Sequence, residues 1–285
     1  MTDLCILHDR TILHLSGMDA ATFLQGLITQ DVQRTVNDGV AQLAVFLTPQ
    51  GKVLYDFIIM PAPHEEGLWL DSARAALEPL TKQLQRYRLR SKVQWRVRDD
   101  LSIVVSAHHS HAPTDALCWF ADPRHAALGW RGVVPLSLSS AWNAGDDAYE
   151  ARRIACGVVE AHRDATGERF FPLELGYEAL NAIDYRKGCY VGQEVTARTH
   201  YKGTLRKGIA IISAPTPITC DDPLIYVTGQ ERSCGELLSY HGTSGLALVR
   251  YDAWRHRRDT RAAMMLNNTP IEVRLPDWGT LPEES

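Results

Sequence analysis

The chain has 285 residues, 45% of them hydrophobic and 22% charged, which excludes a disordered polypeptide and suggests about two domains at roughly 150 residues each. Lys and Arg number 30 against 34 Asp and Glu, a formal net charge of −4 that excludes a wholesale nucleic-acid coat but not a local basic patch. No stretch approaches the roughly 20 apolar residues of a membrane span, and the amino end has no basic segment followed by an apolar one. The six cysteines (Cys5, Cys118, Cys156, Cys189, Cys220, Cys234) are scattered without C-x-x-C spacing. Reduced thiols, no membrane contact and a cytoplasmic location are the expectations.

Along the chain, Ser16 and Asp19 resemble a capping box ahead of a helix whose Phe23, Leu24, Leu27 and Ile28 recur at helical spacing. A hairpin follows, with strands over 41–48 and 52–60 joined by Pro49-Gln50-Gly51. On its second strand Val53, Tyr55, Phe57 and Ile59 point one way, and Leu54, Asp56, Ile58 and Met60 the other. Asp56 therefore sits among apolar neighbours, which a carboxylate tolerates only with a partner or a ligand. Residues 72–87 read as a helix with a break at Pro79. Strands are expected over 92–98 and 101–107, and a helix over 147–157 ending at glycine. After Gly208 short strand candidates at 209–213, 223–227, 233–239, 246–251 and 271–275 alternate with Gly, Pro, Asp and Ser, the pattern of a small β-barrel or sandwich.

Phosphate-loop, dinucleotide, zincin and nucleophile-elbow motifs are missing from the sequence, which disfavours nucleotide hydrolysis and dinucleotide redox chemistry. His108, His109 and His111 read as loop decoration without acidic or thiol partners nearby, and no stably bound metal is expected. The informative segment runs from Asp184 to Arg198. Cys189 follows Arg186, Lys187 and Gly188 and precedes Gly192, where a helix can begin; cations and a helix amino terminus both favour thiolate over thiol. The competing reading makes Cys189 a small buried hydrophobe. Two basic stretches, Lys82–Arg98 and Arg198–Lys207, carry interleaved aromatics and could hold an anion such as a polyglutamate tail or RNA phosphates, or could be solvated faces.

Lys187-Gly-Cys-Tyr-Val-Gly-Gln-Glu194 resembles the K-G-C-Y-x-G-Q-E signature of the YgfZ family, folate-binding relatives of the T-protein aminomethyltransferase of the glycine cleavage system. The resemblance extends in order through Ser16–Ala20, Phe46–Lys52 with Tyr55-Asp56, Arg86–Arg90, Asp122–Arg124 and Phe171–Glu174; Leu173 stands where the family commonly has Gln. It implies an α+β, multi-domain body around a central hole for tetrahydrofolate (residues 1–207, two intertwined subdomains) and a carboxyl-terminal β-barrel (208–285). It further implies a folate-binding factor that assists iron–sulfur cluster assembly or repair in client enzymes, tRNA-thiomethylating enzymes among them. Iron–sulfur clients or assembly factors are then its partners, with a weak tRNA contact through the basic stretches. Cys189 would be the functional thiol, its acidity raised by Arg186 and Lys187 and its turn supported by Gly188, Tyr190, Gly192, Gln193 and Glu194. Asp56 and Glu174 would satisfy polar groups of the folate ring. The alternative is a folate-dependent aminomethyltransferase or other one-carbon transferase.

Overall fold

The computed structural model describes residues 4–108, 111–144 and 146–281. In chain order these form β1 (Cys5–Leu7), β2 (Arg10–Ser16), α1 (Ala20–Gln25), α2 (Val32–Asp38), β3 (Gln42–Leu47), β4 (Val53–Pro61), β5 (Leu68–Ala73) and α3 (Leu77–Arg88). Next come β6 (Gln94–Arg98), β7 (Leu101–Ser106), β8 (Cys118–Ala121), β9 (Trp130–Pro135), β10 (Asn143–Ala144), α4 (Asp146–Ala155), α5 (Ala161–Asp164) and α6 (Gln193–Lys202). The chain ends with β11 (Lys207–Ser213), β12 (Leu224–Val227), β13 (Gly235–His241), β14 (Ser244–Arg250), α7 (Tyr251–Thr260), β15 (Met264–Leu266) and β16 (Thr269–Arg274).

Two five-stranded sheets, ordered β3-β4-β5-β2-β6 and β10-β1-β7-β9-β8, enclose the main core, in which Ile12, Ile58, Met60 and Trp69 of the first meet Leu7, Ile103, Val105 and Val133 of the second. The outer face of the first sheet is covered by α1 and α3, where Phe23, Leu24, Leu80 and Leu84 bury Leu13, Phe57, Ile59 and Leu70. The last six strands close a barrel in the order β11-β14-β13-β12-β15-β16, with β16 returning to β11. Closure leaves no free edge, which is how short strands of modest hydrophobicity avoid pairing with another chain. The α+β class and the carboxyl-terminal barrel are thus as expected.

Three local expectations need correction. Asp19 does not cap α1; its Oδ2 accepts from the Lys92 backbone N–H at 2.7 Å, tying the start of α1 to the chain before β6. The helix expected over 72–87 begins late: residues 72 and 73 close strand β5, which pairs with β2 on one side and β4 on the other. Pro79 causes no break: the helix starts at Leu77, so the proline falls in the first turn, where its missing N–H has no intrahelical acceptor to lose.

The sheets are locked by charge as well as by packing. Asp71 on β5, fully buried, accepts from Arg10 Nε at 2.8 Å and from Arg131 Nε at 2.6 Å, joining β2 of its own sheet to β9 of the other. The β3–β4 turn is held by Thr48 N–H to the Lys52 carbonyl (2.8 Å) and Gly51 N–H to the Thr48 carbonyl (2.8 Å). Gly192, at φ +80°, approaches this turn so closely that a Cβ there would lie 2.6 Å from the Thr48 oxygen and 3.1 Å from Gly51 Cα. Gly51 (φ +77°) has the reciprocal constraint against Val195 Cβ at 2.9 Å. Two distant motifs therefore meet through two glycines.

Asp71→Ala leaves two buried guanidinium groups without their shared acceptor and is expected to lower unfolding stability by about 3–5 kcal/mol in urea titration. In the same measurement Gly192→Ala is expected to cost at least about 2 kcal/mol from backbone strain and the clash with Thr48. Gly188→Ala, where a Cβ would meet open space, is expected to stay within about 0.5 kcal/mol of the parent.

Candidate functional site

Period-2 alternation on β4 puts Asp56 on the face shared with Ile58 and Met60, turned inward between the sheets. The carboxylate is 5% exposed. Tyr177 Oη donates to its Oδ2 at 3.0 Å, and the Ala161 N–H also donates to it. Burial pushes its pKa up in spite of the nearby Arg10 charge, so the site prefers a proton or a donor on this carboxyl. Beside it lies a cavity of about 300 Å³, walled mainly by apolar groups of β4, the start of α3 and the α5 region, including Val53, Tyr55, Pro79, Ala161 and His162. A largely apolar slot with one buried carboxylate fits a flat bicyclic ring that presents adjacent N–H donors, the chemistry of a reduced pterin. Asp56 and His162 line the slot and would meet such a ring, while the fully buried Tyr177 holds the Asp56 carboxylate from behind.

Glu174 does not join this cavity. Its Oε2 accepts from the Phe171 N–H at 3.0 Å, its Oε1 lies 3.5 Å from Lys207 Nζ, and it lines a separate cleft beside the barrel with Trp278 and Tyr251. Its expected role in holding the folate ring is therefore corrected: the side chain is anchored to its own turn and to β11 and is not among the residues that line the Asp56 cavity.

Asp184 shapes the loop that carries the octet, its Oδ1 accepting from the N–H groups of Arg186 (2.7 Å) and Lys187 (3.2 Å). Lys187 then turns inward. Its ammonium donates to the carbonyls of Gln25, Ile28 and Gln30, each at 2.7 Å, and burial pushes its pKa down to about 8. All three ammonium protons are thus used at the end of α1, and the expected pairing of Lys187 with the thiol is corrected. Val191 N–H reaches the Gly26 carbonyl at 3.2 Å, fixing the loop to the same helix end. Tyr190 is buried, its N–H accepted by Gln193 Oε1 at 3.3 Å. Gly192 starts α6, and Glu194 in its first turn is exposed and favourably placed against the helix dipole. Between these anchors Arg186, Gly188 and Cys189 face solvent. Gly188 has neither a left-handed backbone nor a close neighbour, so the tight turn belongs to Gly192 alone.

Among the described residues, which include all six cysteines, Cys189 alone is exposed and none forms a disulfide. The others are buried or half-buried, and burial raises the Cys118 thiol to about 12 and the Cys234 thiol to about 11, which keeps both protonated and unreactive.

The structure adds residues that sequence reading missed. Tyr177 and His162 reach the Asp56 site from segments with no periodic signal. Asp9, Glu160 and His162 bring one ligand atom each within 4.8 Å of one another. Arg163 Nη2 already sits 2.6 Å from Asp9 Oδ2, so this cluster is a neutralised ion-pair network between the β1–β2 turn and α5. Of the three loop histidines, His109 lies outside the described residues. The first basic stretch is partly neutralised: Lys82 pairs with Glu78, and Arg96 and Arg98 with Glu65.

Residues 206–281 match the family described as CAF17, C-terminal beta-barrel domain. The chain is 31% identical over 278 residues to the iron–sulfur cluster assembly factor IBA57 homolog, mitochondrial, of Pyricularia oryzae, covering 86% of this chain and 71% of that protein. It is 30% identical to the protein of the same name from Aspergillus oryzae, with 86% and 69% covered. In fold it resembles the glycine cleavage system aminomethyltransferase T from Bartonella henselae, with a TM-score of 0.66 at 12% identity over 97% of this chain and 86% of that one. The relatives are named as mitochondrial, which overturns the cytoplasmic expectation; lack of a secretory pattern does not distinguish among compartments that keep thiols reduced. The broad YgfZ and T-protein resemblance narrows accordingly: the chain belongs to the IBA57 family of iron–sulfur cluster assembly factors.

Proposed function

We propose that the chain assists iron–sulfur cluster assembly by offering Cys189 as an external thiolate while holding tetrahydrofolate against Asp56. The observation that carries this reading is the contrast among the cysteines: one thiol stands in solvent on a loop fixed at both ends, and five are withdrawn. A four-iron cluster needs about four thiolates, so a single Cys189 supplies one ligand while a second protein supplies the rest. Clients that carry four-iron clusters, including tRNA-thiomethylating enzymes, are the recipients in this reading.

Support for the folate comes from the cavity. When bound, a reduced folate would supply ring N–H donors to a carboxylate that is otherwise buried at a cost. Asp56 orients the ring, Tyr177 fixes the carboxylate, and His162 and Tyr55 close the walls. Asp56 is buried and Cys189 is exposed, and Cys189 is not among the residues that line the Asp56 cavity. The folate therefore acts in this scheme on the shape or stability of the body and not on the thiol. The aminomethyltransferase alternative rests on shared fold alone, and fold does not fix chemistry.

Cys189→Ser, expressed in cells lacking the protein, is expected to leave the chain folded and to reduce four-iron client activity to the level of the empty vector; full rescue would sink the thiol role. Asp56→Asn keeps an acceptor for Tyr177 but removes the charge, and is expected to weaken tetrahydrofolate binding by at least about tenfold in calorimetric titration. The sign of its stability effect is opposite. Asp56 has a raised folded pKa, so the native state binds the extra proton and this group destabilises the fold progressively as pH rises above the ordinary value of 3.8. The Asn variant should therefore melt higher than the parent at neutral pH and show no such gain below about pH 4.

A further inference from the structure

The end of α1 opposite the Cys189 loop opens onto a groove of about 620 Å³ between Gly17-Met18 and the chain from Gln85 to Gln94. Two features there are unusual for a solvated surface. Met18 and Leu89 hold large apolar side chains 84% and 89% exposed. Leu89 also ends α3 at φ +43°, ψ −110°, a strained conformation for a residue with a Cβ, where Gly would be at ease. The groove is basic as well: Arg88, Arg90 and Lys92 line it, no Asp or Glu does, and among the described residues neither Arg90 nor Lys92 makes an ion pair. In a chain of net charge −4 this is a local concentration of positive charge. Its walls are preformed, since Asp19 N–H reaches the Lys92 carbonyl at 3.3 Å and Asp19 Oδ2 accepts the Lys92 N–H.

We infer that this groove docks an acidic protein segment with aliphatic anchor residues, carried by the protein that shares iron–sulfur cargo with Cys189. Charge complementarity selects the acidic residues, and Met18 and Leu89 require an apolar counterpart. RNA is the poorer occupant: phosphates gain nothing from two protruding aliphatic side chains, and the aromatics nearest in sequence are both half-buried, Tyr87 against Phe46 with ring centroids 5.8 Å apart and Trp95 under the Arg88 guanidinium at 5.8 Å. Position completes the case. Met18 lies just before α1, and Lys187 and Val191 bind the carbonyls of Gln25 and Gly26 at its other end. α1 has six residues, so docking groove and thiol loop are separated by roughly 9 Å of helix, within the reach of one small domain. The inference rests on the thiol reading given above, and adds how the second protein is held.

The test measures fluorescence anisotropy of the full chain with three labelled probes: a short Glu-rich peptide carrying a pair of leucines, its Lys-rich counterpart, and a short single-stranded RNA. The acidic peptide is expected to bind best, and Leu89→Gly is expected to weaken it at least about tenfold while raising the melting temperature, because the same change removes the anchor and the strain. Arg90→Glu with Lys92→Glu should weaken it further, and Cys189→Ser should leave its affinity unchanged. Tighter binding of the RNA that ignores Leu89→Gly, equal binding of the acidic and basic peptides, or peptide affinity indifferent to all the groove variants would each overturn the inference. Because the readout is binding and not client activity, failure here with a functional Cys189, or success here with a dispensable one, separates the groove from the thiol.

Discussion

A single buried ammonium organises the loop that carries the exposed thiol. Lys187 gives up solvent to donate to three carbonyls at the carboxyl end of α1 and the turn after it, and burial alone drives its pKa down. Three charge-assisted bonds keep it cationic at neutral pH, since a neutral amine would leave at least one of those carbonyls without a donor. The consequence is local: with residue 187 pinned inward and residue 190 buried, the two residues between them have nowhere to go but out. Cys189 is exposed, with Gly188, because Lys187 and Tyr190 on either side are not.

The same logic explains why the hairpin and the octet come together. The loop can lie on the β3–β4 turn only if neither side carries a Cβ at the point of closest approach, and Gly51 and Gly192 meet that demand from opposite sides. A left-handed residue at Gly192 then redirects the chain into α6, whose amino end faces back toward the thiol-bearing loop. Hairpin turn, α1 and α6 form one rigid mount, and the charge network of Asp71, Arg10 and Arg131 steadies the sheets beneath it.

Much of this was legible in the sequence wherever the signal is local. Alternation along β4 set Asp56 among apolar neighbours in need of a partner, Pro49-Gln50-Gly51 announced the turn, Gly192 marked the start of α6, and the Gly- and Asp-punctuated short strands announced the barrel. Where contacts span the chain the reading lost its way. Lys187 reads as a cation beside a thiol, yet its partners lie up to 162 residues away and draw it inward. Glu174 reads as a ligand group, but its own turn and Lys207 claim both oxygens. Residues 72 and 73 read as the start of a helix in isolation, and only the flanking strands β2 and β4 make them the end of a strand. Asp19 has the right spacing for a cap and is taken instead by Lys92. In each case a tertiary acceptor or donor outcompeted the local one.

What the sheets bury and what the loop exposes answer to different demands. Asp56 sits where a charge is unwelcome, so that pocket gains from any ligand that brings donors and excludes water. Cys189 sits where a thiolate is easily solvated, so its chemistry depends on what arrives from outside. Under the proposed function this separation is of use: a thiol buried beside the cavity could not be approached by another protein's ligands, and a folate placed at the exposed loop would lack apolar walls. With one exposed sulfur, the chain cannot retain a four-iron cluster by itself. On the proposed function that points to brief custody, in which affinity for the second protein, set by surface charge and apolar anchors, would decide how long the shared cargo stays.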